Sequence, residues 1–443
     1  MSCNWKTEKL GNLLELIIDH RGKTPKKMGF EDFHSQGYPV LSAKHVKTEG
    51  LANLDALRFA NEAMYKKWMK EEVRDGDIIL TSEAPLGELF YIFGDRKYLL
   101  GQRVFGLRPK KELINPLYLF SWLASKNGQD ALSAKATGST VQGIKQSELL
   151  TIDIDLPPKD VQDFVADMSF CLANKIGINR QINQTLEQIA QALFKSWFVD
   201  FEPVKAKIAV LEAGGSQEEA TFAAMTAISG KDTDSLAVFA HEHPEQYAEL
   251  KATAELFPSA MQESGLGEIP EGWSVERIGN LLELAYGKAL KSTNRKEGSV
   301  PVYGSGGITG FHNEPLIPHG SIIVGRKDTV GSLFWEDDPF FAIDTTYYVR
   351  PLTIPLTYCY YAMQTLRLEK MNTDAAVPGL NRENVYRLEL TRPTTCVLEK
   401  FDLEISLLRK AIRANSNASK TLASLRDTLI PKLLSGKLRT QGD

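Results

Sequence analysis

Two long segments of the chain carry apolar residues at alternating three- and four-residue intervals. In the first, Val161, Phe164, Val165, Met168, Leu172, Ile176, Ile182, Leu186, Ile189, Leu193 and Trp197 fall on one stripe of a helix. In the second, Leu398, Phe401, Ile405, Leu408, Ile412, Leu422, Leu425, Leu429 and Leu433 do the same. Each stripe begins shortly after a proline, Pro158 or Pro393, a position that suits the start of a helix. A lone stripe of ~35 residues, ~50 Å long at 1.5 Å per residue, must be covered. Two stripes in one chain predict an antiparallel two-helix coiled coil; the alternative is that each helix packs on its own neighbouring module.

Elsewhere the pattern shortens. Asp77–Thr81, Val104–Leu107, Ser321–Gly325 and Thr345–Val349 are β-branched runs bounded by Gly or Pro and read as strands. Asn115–Ser125 and Leu356–Leu366 read as helices, with Pro116 and Pro355 near their first turns. The fold class is therefore α+β: two globular modules separated by a pair of long helices.

The order of elements repeats. Trp5-Lys6-Thr7-Glu8-Lys9-Leu10-Gly11-Asn12-Leu13-Leu14-Glu15-Leu16 returns 268 residues later as Trp273-Ser274-Val275-Glu276-Arg277-Ile278-Gly279-Asn280-Leu281-Leu282-Glu283-Leu284. Gly76 answers Gly320 at an offset of 244, Arg108-Pro109 answers Arg350-Pro351 at 242, and Val141/Gly143 answer Val377/Gly379 at 236. Pro157 with Pro393, and Leu186, Ile189 and Leu193 with Leu422, Leu425 and Leu429, keep 236. The shrinking offset places about 32 extra residues in the first copy, in an otherwise ordered tandem duplication with pseudo-twofold organisation. The expected boundaries are a first module over 1–157, a helical spacer over 158–204, an acidic Ala-rich linker over 205–265, a second module over 266–393 and a second helical spacer over 394–443.

Charge changes the picture only once it is localised. The 443 residues carry 52 Lys+Arg against 56 Asp+Glu, a net −4 that argues against a nucleic-acid binder. The 205–265 stretch, however, holds four lysines and ten acids, leaving the rest of the chain at 48 basic and 46 acidic residues. The acidity belongs to the linker, where Glu218–Ala227 and Glu245–Leu256 read as helices. Cys3, Cys171, Cys359 and Cys396 stand too far apart for a zinc cluster or a disulfide scaffold. Without a signal-like start or a run of ~20 apolar residues, the expectation is a soluble, cytoplasmic protein.

Catalytic constellations are not found: no Walker A loop, GxGxxG, HExxH or GxSxG. Leu156-Pro157-Pro158-Lys159 lacks the flanking polar and aromatic residues of an amino-methylating loop and reads as a module boundary. His241 and His243 read as a solvated pair rather than a metal site.

Both modules hold matching loops rich in cations and small polar residues. The first offers Arg21, Lys23 and Thr24, then Lys44 and His45, then Thr140 and Lys145. The second offers Lys288, Lys291, Arg295, Lys296, Tyr303, Ser305 and Lys327. Such groups suit phosphate, whereas Arg, Asn and Gln suit base edges. Candidates for base edges are Gln102, Arg103 and Gln142 in the first module, with Arg326, Asn381 and Arg382 in the second.

Two diverged modules, each followed by a more similar helix, resemble the specificity subunit of type I restriction-modification enzymes along essentially the whole chain. The resemblance rests on Trp5/Gly11 and Trp273/Gly279, Gly138-Ser139-Thr140-Val141-Gln142-Gly143-Ile144, and Pro301-Val302-Tyr303-Gly304-Ser305-Gly306-Gly307. Gly325-Arg326-Lys327-Asp328-Thr329-Val330-Gly331, Phe194-Lys195-Ser196-Trp197-Phe198 and Leu429-Ile430-Pro431-Lys432-Leu433-Leu434-Ser435-Gly436-Lys437-Leu438 complete it. It implies a non-catalytic subunit whose modules are target-recognition domains, each reading half of a bipartite, asymmetric site in double-stranded DNA. The helices, through Leu186, Ile189, Leu193, Trp197, Leu422, Leu425, Leu429 and Leu433, would set the half-site spacing and dock two methyltransferase (modification) subunits and the restriction/translocase subunits. S-adenosylmethionine, ATP and Mg would belong to those partners, with no cofactor or metal in this chain. The competing readings are a DNA methyltransferase or nuclease with unrecognised active residues, and a two-module scaffold for a non-DNA ligand such as protein or glycan.

Overall fold

The computed structural model describes residues 5–48, 50–138, 141–371 and 379–434. The chain divides into two units, residues 1–181 with 415–443, and residues 182–414. Each is built on a four-stranded antiparallel sheet with the same strand order.

In the first unit the order is Leu14–Asp19, Val104–Pro109, Ile78–Thr81, Leu89–Tyr91. The inner two strands are buried throughout, their apolar runs followed by the buried Thr81 on one and Arg108 on the other. Period-two alternation distributes them between two cores. Ile78 and Leu80 join Phe105, Tyr118 and Trp122 on one face; Ile79 joins Val40, Trp68 and Leu100 on the other. The helix Pro116–Ala124 starts where Asn115 Oδ1 accepts from the Leu117 and Tyr118 amides, at 2.9 and 3.3 Å.

The second unit repeats this with Leu282–Tyr286, Thr346–Pro351, Ser321–Gly325 and Leu333–Glu336. Ile322 and Val324 face one core and Ile323 the other. In each unit a further short pair, Lys6–Lys9 with Asp153–Leu156 or Ser274–Arg277 with Glu389–Arg392, ties the start of the module to its end. Lys6 opposite Leu156 and Ser274 opposite Arg392 preserve the offsets of 268 and 236 read from the sequence.

The two long helices span Lys159–Phe198 and Thr395–Leu434. In the first unit Val165 and Ala166 share a core with Ile430, Leu433 and Leu434. In the second, Phe194, Trp197 and Phe198 share one with Leu398, Phe401 and Ile405, the Phe198 and Phe401 rings lying 4.9 Å apart. The pairing is antiparallel in both. Its middle is not the expected apolar seam. Asn179, 2% exposed, donates to the Asn415 carbonyl and to Ser419 Oγ at 3.4 and 3.2 Å. Asn183 donates to the Ile412 carbonyl at 3.3 Å, and Arg409 pairs with Glu187 at 3.2 Å. Of the eight expected interface residues, Trp197 and Leu433 are buried and Leu186, Leu193, Leu422 and Leu429 half-buried. Ile189 and Leu425 are 48% and 44% exposed, because the asparagines, not they, turn toward the partner helix.

The 205–265 stretch is helical over most of its length, including the two helices expected there. Helices Glu202–Glu212, Gln217–Ser229, Thr233–Glu242 and Pro244–Glu255 lead into a hairpin, Met261–Ser264 with Gly267–Pro270. Ala224, Met225, Leu236 and Ala254 form a small core between these helices, with Phe222, Phe239 and Tyr247 packed against it. Ser216 and Glu219 form a reciprocal capping box, and Val204 and Phe257 enter the core of the second unit. Lys207 is buried; its ammonium donates to the Phe257 carbonyl at 2.6 Å, and burial holds its pKa below the ordinary lysine value.

Candidate nucleic-acid interface

At one edge of each sheet, three loop segments are laced together by the same backbone bonds. In the first unit the Ser82 amide donates to the Arg103 carbonyl at 2.9 Å, and the Ile144 amide to the Ser82 carbonyl at 2.9 Å. Glu83 bridges Gly143. In the second, the Arg326 amide donates to the Thr345 carbonyl at 2.9 Å and the Leu380 amide to the Arg326 carbonyl at 2.8 Å, with Lys327 bridging Gly379. Ser82 is thus equivalent to Arg326, Glu83 to Lys327 and Arg103 to Thr345. The frame is shared and the side chains are not.

In the first unit this edge gathers Arg21, Arg103, Gln142 and Lys145. Arg21 is committed: its guanidinium forks onto Asp19 at 2.9 and 2.8 Å and lies 3.9 Å above the Phe105 ring. Arg103, at φ +65°, extends an exposed side chain that pairs with Glu83 at 3.2 Å. Gln142 and Lys145 are exposed. Thr140 lies outside the described residues.

Beside the edge, Lys23, Thr24, Lys44 and Gln102 line a cavity of about 300 Å³ with Arg58, Phe33 and Trp68. Lys23 donates to the Trp68 carbonyl at 3.1 Å, and burial, aided by the Lys70 charge, lowers its pKa. Thr24 Oγ1 accepts from the Lys27 amide. His45 also lines this cavity but is only 2% exposed; its Nδ1 lies 3.2 and 3.1 Å from the Ser42 nitrogen and Oγ, and burial lowers its pKa. It braces the turn after the Tyr38–Leu41 strand rather than reaching outward.

In the second unit Arg326, Lys327, Asn381 and Arg382 come together, as do Lys288, Lys291, Arg295 and Lys296 on the loop after Tyr286. Lys288, Lys291 and Lys296 are exposed, while Arg295 is spent on the Thr309 carbonyl and Oγ1 at 2.7 and 3.3 Å. Asn381 caps the short helix Arg382–Tyr386 by accepting from the Glu383 amide at 2.9 Å. Tyr303 and Ser305 do not reach the surface. Tyr303 is 6% exposed and donates to Glu336 at 2.8 Å, and Ser305, 4% exposed, donates to the Thr345 carbonyl at 2.5 Å. Both are scaffold, because their loop tucks beneath the Arg326 segment.

Three residues escaped the sequence reading. Tyr286 stands 47% exposed under two arginines, Glu83 neutralises Arg103, and Arg58 closes the cavity. Only Glu83 left a usable signal, its alignment with Lys327 at the offset of 244.

Residues 3–188 and 270–395 match the family described as "Type I restriction modification DNA specificity domain". The chain is 30% identical to the type I restriction enzyme HindI specificity subunit of Haemophilus influenzae over 404 residues, 83% of this chain and 88% of that one. It is 22% identical to the MjaIX specificity subunit of Methanocaldococcus jannaschii, over 99% of this chain and 94% of that one. Its fold is similar to the crystal structure of the type I restriction-modification S subunit from M. genitalium, with a TM-score of 0.53 at 17% identity, covering 97% of this chain and 96% of that one.

Proposed function

The chain belongs to the type I restriction-modification DNA specificity family; it recognises DNA sequence and has no active site of its own, and on that premise we propose a division of labour within it. The module over 1–157 reads one half of a bipartite, asymmetric site in double-stranded DNA and the module over 266–393 reads the other. The exposed cations at each loop edge hold phosphates, and the Arg, Gln and Asn side chains beside them address base edges. The observation that carries this reading is the pair of equivalent loop edges with unlike side chains: one frame presenting two chemistries suits two unlike half-sites.

Specificity subunits of this family work in complexes with methyltransferase and restriction subunits. The helix pair sets the gap between half-sites and docks two methyltransferase subunits, with the restriction subunits beyond them. Ile178, Ile182, Ile189, Leu403 and Leu407, each 39–54% exposed, are apolar groups that such a partner would cover. S-adenosylmethionine, ATP and Mg act in those partners.

Footprinting of the complex on its target tests the reading. Two protected blocks separated by an unread gap are expected, with affinity falling as salt rises because phosphate contacts release counterions. One contiguous block would refute the two-module assignment, and methyl transfer by the purified chain alone would refute its non-catalytic role.

A further inference from the structure

In the second unit two guanidinium groups share one aromatic platform. Arg326 lies 5.1 Å from the Tyr286 ring centroid and 5.7 Å from that of Tyr347, and Arg382 lies 4.8 Å from Tyr286. The two tyrosine rings are 5.0 Å apart, and the Tyr347 hydroxyl donates to the Leu380 carbonyl at 2.9 Å, fastening the platform to the loop that carries Arg382. Stacking fixes the plane of a guanidinium while leaving N–H groups at its rim. Arg326 uses these on the Asp344 carbonyl at 3.2 Å and on the Tyr347 hydroxyl, and Arg382 pairs through Nε alone with Glu383 at 3.4 Å. Neither fork is closed by a bidentate carboxylate.

The first unit lacks this arrangement at every equivalent place. Asp19 opposes Phe105 where Tyr286 opposes Tyr347. Ser82 and Glu83 stand for Arg326 and Lys327, and the offset of 236 puts Gln146 at Arg382. The arginines nearby, Arg21 and Arg103, are already paired with Asp19 and Glu83. A duplicated frame that differs at these positions differs where the target is read.

Charge separates phosphate holding from base reading. Asp328, Asp344 and Glu383 accompany Arg326, Lys327 and Arg382 in the same segments, so the excess positive charge of this edge lies on Lys288, Lys291 and Lys296 rather than on the arginine pair. A phosphate clamp relies on such an excess; a planar fork with free N–H groups instead matches the O6 and N7 acceptors of guanine in the major groove.

We infer that Arg326 and Arg382, held on Tyr286, each read a guanine in the half-site of the second module. This deepens the DNA-recognition reading above and rests on it. The test is selection of bound duplexes from a randomised library by the full chain in its methyltransferase complex, for the wild type and for R326A, R326K and R382A. The wild type is expected to select two blocks, one rich in guanine. R326A and R382A should each lose the guanine preference at a different position of that block, weaken binding to the wild-type consensus by about 5- to 150-fold, and leave the other block unchanged. R326K keeps the charge and loses the planar fork, so its guanine preference should fall between those of the wild type and R326A. Retained preference in R326A or R382A, a uniform loss across both blocks, or a wild-type consensus without guanine would overturn the inference while leaving DNA recognition standing. Failure of the wild type to enrich any duplex would overturn both.

Discussion

The Asp77→Ala substitution should destabilise the first unit by about 3 kcal/mol. Asp77 and Arg108 have side chains only 2% and 7% exposed and make two bonds, Arg108 Nε to Oδ1 at 3.0 Å and Nη2 to Oδ2 at 2.8 Å. The pair pins the start of the Ile78–Thr81 strand to the end of its neighbour, and Asp77 holds the Arg108 pKa above its ordinary value. Removing one partner of a buried pair costs roughly 3–5 kcal/mol, since the other charge stays buried without compensation. Here Arg108 keeps the Glu72 carbonyl at 2.6 Å and has the Glu71 carboxylate at 4.0 Å, which places the cost at the lower end. For a unit of this size that is a fall of about 6–12 °C in the midpoint of its thermal transition. Calorimetry of the full chain, with Ser321→Ala as the matched change in the second unit, assigns the transition. Ser321 donates to the Val349 carbonyl where Asp77 binds Arg108, and its loss should cost about 1 kcal/mol in the other unit. Adding Arg108→Met to Asp77→Ala should recover most of the stability. A loss below about 1 kcal/mol, or a double variant as unstable as the single one, would refute the argument.

Burial holds the His20 imidazole down at about 4, helped by the Lys23 charge, so between pH 6.5 and 4 the unfolded chain takes up a proton that the folded one does not. Stability present above pH 6.5 is therefore lost as pH falls, by about 3 kcal/mol for this group; His20→Phe should flatten that slope in urea titrations at pH 7 and 4.5, and an unchanged slope would exclude His20. Phe401→Ala should cost the second unit about 3–5 kcal/mol, because the ring is fully buried against Phe194, Trp197, Phe198 and Tyr361; a cost near 1 kcal/mol would mean the cluster collapses onto the gap. Asn179→Ala removes two hydrogen bonds from the helix pair and should cost about 1–2 kcal/mol by chemical denaturation; a neutral result would show that the seam carries no stability there.

The duplication, the sheets and both long helices were legible because each rests on local periodicity or on offsets within the chain. The Leu356–Leu366 reading meets a helix at Leu356–Thr365, and Ser321–Gly325 is reproduced as a strand. What stayed hidden depends on distant neighbours. Asn179 and Asn183 look like the wet side of a helix until the second helix supplies carbonyls for them. The composition of the acidic stretch shows two of its helices but not the small core that Ala224, Met225, Leu236 and Ala254 build between them. Of the candidate interface, residue types were readable and availability was not. Arg21 is engaged by Asp19 two residues away, but His45, Tyr303 and Ser305 are withdrawn by loops whose folding no spacing announces.

The polar middle of the helix pair also acts as a lock on registry. If one long helix slid by a turn, about 5.4 Å, Asn179 and Asn183 would be carried away from the groups they now bond. Arg409 would lose Glu187 at the same moment. The two helices must therefore lengthen or shorten together. A turn inserted in one alone creates a bulge or unpaired buried amides, whereas matched insertions on both keep every bond. On the proposed reading, in which the helix pair sets the gap between half-sites, that gap should change through paired insertions of whole turns rather than single residues.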